Sequence, residues 1–503
     1  MKLNVKPFIP DDEYFNEAMI TDFYEFSMAN CLFLQGYKDK VLVFDMFHRK
    51  NPDNLGYSIS CGQKRLTKFL LNYHFTDTDL AYLKAKGMSD QFLSYLKTYK
   101  WKGSMYALKE GTISYPQVPI IRIECDVVGA ILIETYLLQT INFHSLIATK
   151  ATRISGLYSH HKRNVLEFGA RRAQGASASL DGAYASIIGG CNGTSNCLAE
   201  MKYGKDVFAT GTIAHSFIEF FPSEMDAFRA YAEIYPDNVS LLLDTYNVFE
   251  SGLPNLIKLD NELIQKYPND PSKRVKSARI DSGDLSRTYK RLREALDKEG
   301  KSYIKLVASN SLDEKKMQDM EIYEKAKYDS YGVGENLITS ATDPFFGGVY
   351  KLVAVKEGSK YIPKMKCSES KSKAIIPGKL MAYRIYDKDD LAQCDLIALD
   401  EEIIKPGKEI EVVDLNPDSF KKTRKITPIR IEKLLVPYII DGKKVIDLPS
   451  VNEVKDYVKE QIENHIWESE LRSEFPHTHY VDLTLKVHKV REELYKKLHG
   501  GKI

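Results

Sequence analysis

One octapeptide carries the densest chemistry in this chain: Ala209-Thr210-Gly211-Thr212-Ile213-Ala214-His215-Ser216. Its spacing predicts a buried strand that stops in small and polar residues, between helical stretches at 198–205 and 223–234. His215, with Thr212 and Ser216 beside it, is a side chain type that titrates near neutrality. A histidine at a strand tip suits an active site, and a histidine that merely caps a strand end is the competing reading. Other apolar segments end in the same way. Residues 165–168 run into Arg171 and Arg172, 189–193 into Thr194-Ser195-Asn196, and 239–243 into Asp244-Thr245. Residues 278–280, which contain Arg279, lead to Asp281-Ser282-Gly283-Asp284, and 304–308 lead to Ser309-Asn310. Gly332-Val333-Gly334 closes the series.

Together these tips form a set for handling anions and diols. Backbone N–H groups around Gly332 and Gly334 can cradle a phosphate, although a GxG is also a tight turn. Asp281 and Asp284 can accept from ribose hydroxyls or hold Mg²⁺ through water. Arg171 and Arg279 suit bidentate contact with phosphate or carboxylate. No tip carries the lysine that a Schiff-base enzyme needs, and no His and carboxylate spacing suits a catalytic zinc. His477-Thr478-His479 offers two alternate residues and no third ligand nearby.

The elements that must position these tips alternate strand and helix from about residue 136 to 345. Seven βα-like units with short connections predict a parallel sheet covered by helices. A doubly wound sheet and a barrel both fit that alternation. We expect an irregular, incomplete α/β barrel, because a barrel brings all the strand ends to one mouth whereas an open sheet does so only at its switch point. The helix over 285–296 places Leu285, Tyr289, Leu292 and Leu296 on one face.

Before the barrel, residues 1–135 read as an α+β domain. It has a helix over 14–35 that contains Tyr24, a strand over 41–47, a turn at Asn51-Pro52-Asp53-Asn54, and a returning strand over 57–61. His48, Arg49 and Lys50 then crowd a hairpin end, as a solvated loop. Helices follow over 62–98, short strands over 101–128, and a long helix over 134–153. Residues 346–503 lose the alternation. They are β-rich to about 399, punctuated by lysines that include Lys366 and Lys373, then helical near 451–468 and 482–499, completing the α+β domain.

Composition narrows the function classes. Over 503 residues, Lys plus Arg is 71 and Asp plus Glu is 69, a net charge of +2, so no broad field draws nucleic acid or a membrane surface. The seven cysteines are scattered with no CxxC pair, which suits reduced thiols. With no signal-peptide pattern and no long apolar run, a soluble cytoplasmic protein is expected.

These blocks, in this order, resemble the nicotinate phosphoribosyltransferases. The resemblance rests on Thr21-Asp22-Phe23-Tyr24, Arg49 with Pro52, Glu167-Phe168-Gly169-Ala170-Arg171-Arg172, Gly193-Thr194-Ser195-Asn196, Gly211 to Ser216, Arg279 to Leu285, Ser309-Asn310, Gly332 to Gly334 with Leu337-Ile338-Thr339, and Pro377-Gly378-Lys379. The end of the chain matches only loosely. The resemblance implies a type II phosphoribosyltransferase fold, with an irregular α/β barrel packed with an α+β domain. It implies that nicotinate and 5-phosphoribosyl 1-diphosphate are joined to give nicotinate mononucleotide and diphosphate, the first step of NAD synthesis from nicotinate. ATP would be a co-substrate, Mg²⁺ a cofactor, and the assembly a homodimer with shared active sites.

It further implies that ATP phosphorylates His215, that Phe168 and the partner subunit's Tyr24 stack on nicotinate, and that Arg171 faces diphosphate or the nicotinate carboxylate. Arg279 and Asp281 would hold ribose and phosphate oxygens. Ser309, Gly332 and Gly334 would bind the 5′-phosphate, with Ser216 lining the site. Arg49, Lys366 and Lys373 would reach diphosphate or ATP. Ser195 stands where nicotinamide-using relatives carry an acid, which fits nicotinate. Glu335 departs from the family's small polar residue and is expected to point outward. A nicotinamide or quinolinate phosphoribosyltransferase, or a non-catalytic phosphosugar-binding protein on the same scaffold, are the alternatives.

Overall fold

A computed structural model describes residues 16–157, 162–366, 375–416, 422–472 and 474–498. Lys373 lies outside them. The chain divides into two compact units, one of Met1–Leu146, Phe345–Pro449 and Glu460–Ile503, the other of Ile147–Pro344 with Ser450–Lys459. Among the described residues no helix is long and apolar enough to cross a membrane.

The second unit is the incomplete barrel. Six parallel strands form its sheet: β1 (Val165–Glu167), β2 (Gly193–Thr194), β3 (Val239–Leu242), β4 (Val275–Ile280), β5 (Lys305–Ala308) and β6 (Ser330–Val333). They lie in the order β2-β1-β6-β5-β4-β3. Beyond β2, the single residue Ala209 bridges to Thr194 in parallel. That gives seven positions in cyclic sequence order, with no backbone ladder between the 209 segment and β3 among the described residues. Residues buried along the strands, among them Val165, Leu241, Ala278, Ile280, Leu306, Ala308 and Val333, make the near-continuous apolar runs expected of parallel strands covered on both faces. The helix Leu285–Lys298 turns Leu285, Leu292 and Leu296 inward, as its spacing requires.

Two strand expectations are corrected here. Residues 209–214 remain extended but make no strand, and His215 opens the short helix His215–Phe220 instead of ending a strand. Thr210, Gly211 and Thr212 offer no alternating apolar face, so nothing holds a further strand pairing there. Residues 189–192 are likewise not strand. The helix Ala176–Ile188 runs up to them, and Gly190, at φ 104, allows the Cys191 N–H to close onto the Ser186 carbonyl at 3.0 Å, a helix-ending bond.

The first unit holds a seven-stranded and a six-stranded sheet. The Val41–His48 strand pairs antiparallel with Ile121–Asp126 and with Gly348–Glu357, not with 57–61. Ser58–Ile59 pairs with Ile113–Ser114, so the expected hairpin does not form. The turn itself forms, with Asp53 and Asn54 at φ 52 and 54. A strand buried along most of its length needs a partner on each side, and both partners come from far along the chain. His48 is buried, not solvated. Its Nε2 is 2.9 Å from Asn51 Oδ1, and burial lowers its pKa to about 4. Residues 482–484, expected to be helical, belong to the strand Val481–Thr484 between Ala392–Leu399 and Ile410–Asp414, and the helix starts at Leu485. His479 pairs with buried Glu470 and Asp395.

Candidate active site

Arg279 near the end of β4 organises the mouth of the barrel. Its Nε donates to Thr212 Oγ1 at 2.9 Å, one terminal nitrogen donates to Ser309 Oγ at 3.1 Å, and the other to the Ile213 carbonyl at 3.0 Å. It also pairs with Asp281 at 3.2 Å. The guanidinium therefore ties the unpaired 209–214 segment to β4 and β5, across the gap where a strand ladder is missing. A rigid fork of five donors suits that task better than a lysine ammonium. Most of its donors are spent inside the protein, so Arg279 is a strut more than the open phosphate clamp its type suggested.

That strut places His215. The imidazole Nδ1 lies 3.1 Å from Thr245 Oγ1, and Nε2 lies 3.9 Å from Asp281 Oδ2. Asp281 is itself oriented, since Ser309 Oγ donates to its Oδ1 at 2.6 Å. Behind it, Asp244 Oδ2 accepts from the Asp281 N–H at 3.0 Å and from Ser282 Oγ, while the buried Asp244 Oδ1 has no hydrogen-bond partner. Thus β3, β4, β5 and the 209 segment bring His215, Arg279, Asp281 and Ser309 into one connected group.

Next to Ser309, Asn310 and Ser311 take positive φ values of 104 and 47. Such values are uncommon for non-glycine residues and recur at ligand-binding turns.

A second group sits on β1, β2 and β6. The Phe168 N–H donates to the Val333 carbonyl at 2.8 Å, and its ring lies against Gly332. A Cβ added to Gly332 would stand 2.5 Å from Phe168 Cδ2, so only glycine leaves room for the ring. Glu167 beneath it is fully buried. It accepts from the Gly169 N–H and, at 2.6 Å, from Thr194 Oγ1. Ser195, whose N–H donates to the Glu167 carbonyl at 2.9 Å, is exposed, as are Arg171 and Ser216. Gly334 precedes the short helix Glu335–Ile338. Glu335 points outward at 61% exposure and pairs with Arg172 at 3.6 Å. Asp284 spends one carboxylate oxygen capping the helix after β4, accepting from the Arg287 N–H at 2.9 Å.

The other expected site residues belong to the first unit. Tyr24 lies in the helix Phe23–Leu34 and is 49% exposed. Partial burial, then nearby Glu134, pushes its hydroxyl up to about 12. Arg49 is half-buried after the Val41–His48 strand, and Lys366 is exposed.

Thr245, Thr212, Thr194 and Glu167 stand in the sequence only as members of the strand-tip blocks, with no role of their own assigned to them. Each is one residue from, or inside, a block already singled out. The signal lay in the hydroxyls and the acid flanking those blocks, but their partners are 27 to 67 residues away.

The nicotinate phosphoribosyltransferase N-terminal domain model matches residues 19–142, and the C-terminal domain model of the same family matches residues 380–491. The nicotinate phosphoribosyltransferase of Bacillus subtilis is 33% identical over 96% of this chain and 97% of its own. That of Caenorhabditis elegans is 32% identical over 96% and 93%. The crystal structure of human nicotinic acid phosphoribosyltransferase superposes with a TM-score of 0.81 at 26% identity, covering 94% of this chain and 99% of that one. A nicotinate-nucleotide pyrophosphorylase from Pyrococcus furiosus shares the fold, with a TM-score of 0.66 at 23% identity. Likeness at this level along almost the whole length of both chains shows that this chain belongs to the nicotinate phosphoribosyltransferase family.

Proposed function

We propose that this chain joins nicotinate to 5-phosphoribosyl 1-diphosphate, releasing diphosphate and forming nicotinate mononucleotide for NAD synthesis, with ATP hydrolysis coupled through a phosphorylated His215. The connected group of His215, Asp281, Arg279 and Ser309 is the observation that carries the reading.

The glycosidic step breaks the C1–O bond to diphosphate and builds positive charge on the ribose, as in other oxocarbenium-like reactions. Asp281, fixed by Ser309 and Arg279, stands ready to face that charge without reorganising. The nicotinate ring nitrogen then bonds to C1 while its ring lies along Phe168. Ser195 leaves the carboxylate end free of a repelling acid. Gly332 and Gly334 offer backbone N–H groups to the 5′-phosphate beside Ser309, whose own N–H is spent on the Ile280 carbonyl at 2.9 Å, and Arg171 and Ser216 stand exposed on the same unit for the diphosphate.

In the ATP step, His215 Nδ1 holds its proton toward Thr245 Oγ1, so the Nε2 lone pair takes the γ-phosphoryl group as its bond to ADP breaks. Water later removes the phosphoryl group. Mg²⁺ fits the donors present: Asp244 Oδ1 is buried and unpartnered beside Asp281, and no group of three ligating side chains occurs among the described residues. A hard cation held by one or two carboxylates, with its other ligands from phosphate and water, suits that pattern. Such an ion would neutralise the diphosphate. Asp244 and Asp284 each keep one oxygen for it, Asp244 beside Asp281 and Asp284 at the cap of the helix after β4.

The reading extends to a homodimer. Phe23, Tyr24, Met28 and Leu34 expose apolar surface on one helix, and a mass measurement in solution tests it. Tyr24, Arg49, Lys366 and Lys373 are retained as substrate contacts of the assembled enzyme.

The decisive experiment incubates the protein with γ-labelled ATP and assays nicotinate mononucleotide in parallel. Acid-labile, base-stable label that disappears in His215→Ala, together with product from nicotinate, is expected. Product without any such label removes the phosphohistidine. Neither label nor product removes the enzyme reading.

A further inference from the structure

We propose that Glu167 is a positioning residue that sets the width of the pyridine slot by clamping together the two loops that bear Phe168 and Ser195. The proposal rests on the function given above and adds a specificity role that no ligand contact reveals.

Glu167 is the last residue of β1, fully buried, between Val333 of β6 and Thr194 of β2 in the sheet register. Its two carboxylate oxygens reach different loops. One accepts from the Gly169 N–H, immediately after Phe168. The other accepts from the Thr194 hydroxyl at 2.6 Å, immediately before Ser195. The contact continues, because Thr194 Oγ1 also accepts from the Asn196 N–H at 3.0 Å. The Glu167 carbonyl takes the Ser195 N–H at 2.9 Å. One side chain therefore holds the Gly169 backbone directly and the Ser195 loop through the Thr194 hydroxyl.

A simple structural role explains this poorly. Burial raises the carboxyl's pKa, opposed by the Thr194 and Gly169 bonds, and among the described residues no arginine or lysine is paired with it. A buried carboxyl without a cation is costly, and an apolar residue would stabilise the strand end more cheaply. What an apolar residue cannot do is accept from two loops at once. Glycine at 169 adds to the tightness, since a Cβ there would stand 2.6 Å from Ile338 Cβ. The loop thus has little freedom except along the direction Glu167 controls.

Glu167→Gln keeps the size but turns an amide NH₂ toward one of the two donors, breaking the clamp on one side. Partners that orient a working group typically matter by about 10- to 100-fold. We expect a nicotinate KM raised about tenfold, kcat lowered less, and discrimination against nicotinamide narrowed, by the same reasoning. The KM for 5-phosphoribosyl 1-diphosphate should change less than that for nicotinate, because the Ser309 turn is not in this network and only Arg171, on the loop after Gly169, is shared with it. Thr194→Val breaks the same bond from the other side and should match it. Thr194→Ser, which keeps the hydroxyl, should recover most of the loss. The double variant should be no worse than the poorer single, as for two changes to one interaction.

A merely stabilising residue would lower the melting temperature and leave KM and selectivity of the folded fraction unchanged. That result, in Glu167→Gln or in Thr194→Val if the first fails to fold, overturns the proposal. Absence of turnover in the unaltered protein would instead overturn the function on which it rests.

Discussion

Gly332→Ala is the sharpest probe of the slot. The added Cβ would stand 2.5 Å from Phe168 Cδ2 and 2.7 Å from Cε2. Carbon atoms settle at about 3.5–4.0 Å, so the ring edge must retreat by roughly 1 Å. The Phe168 backbone cannot absorb this, because its N–H donates to Val333 and the next N–H is held by Glu167. The ring must swing about its own side-chain bonds, into the space assigned to nicotinate.

A 1 Å misplacement costs up to about 100-fold in rate, so kcat/KM for nicotinate should fall about 30- to 100-fold, or roughly 2–2.7 kcal/mol. Overpacking should also cost about 1–3 kcal/mol of stability, read separately by thermal unfolding. Alanine keeps the backbone N–H, so the KM for 5-phosphoribosyl 1-diphosphate should hold. In a Phe168→Ala background the clash is gone, and adding Gly332→Ala should cost less than about threefold more. Steady-state kinetics on the four proteins decide the matter. A folded Gly332→Ala enzyme with nicotinate kcat/KM within about threefold of the unaltered one refutes the assignment of Phe168 as a wall.

Three further outcomes are expected. Ser195→Asp should shift selectivity toward nicotinamide in a competition assay, and unchanged selectivity counts against the carboxylate reading. Thr245→Val removes the hydroxyl at His215 Nδ1 and should lower ATP-dependent labelling about 10-fold or more, while the label stays on histidine; undiminished labelling would show that Thr245 does not set the tautomer. Asp45 tests the pH dependence of stability. Neither of its oxygens has a hydrogen-bond partner, and burial, opposed by Arg122, raises its carboxyl to about 8. The native state then keeps a proton that the unfolded chain has released, so stability declines as pH rises from about 4 to about 8, by about 1.4 kcal/mol per unit, and then levels. Asp45→Asn should flatten that slope in urea melts at pH 5 and 8, and parallel slopes in the two proteins would discount it.

Several of the residues that meet at the barrel mouth stand out in the sequence. Parallel strands buried on both faces must be apolar and must end where the chain reaches water. The polar residues at those ends therefore stand out, as Asp281, Ser309 and the glycines of β6 do. So does His215, although it opens a helix and does not end a strand. An extended segment held by side chains looks like a strand in one dimension. The seven-fold alternation likewise announced a parallel sheet covered by helices, because each βα unit is a local pattern of some thirty residues.

What stayed hidden was pairing over distance. Thr212 with Arg279, Thr245 with His215, and Glu167 with Thr194 each join residues whose types are ordinary and whose meaning lies in the partner. The same holds for the Val41–His48 strand, which took two remote partners in place of the neighbour its turn suggested. The sequence by itself determined which elements form and which residue types gather at strand ends, since periodicity and turn chemistry act within a few residues. Only the tertiary structure decided that the barrel's gap is bridged by a guanidinium, that Phe168 rests on a missing side chain, and which carboxylates are spent and which remain free. Those outcomes depend on distances between atoms that the chain brings together only once it has folded.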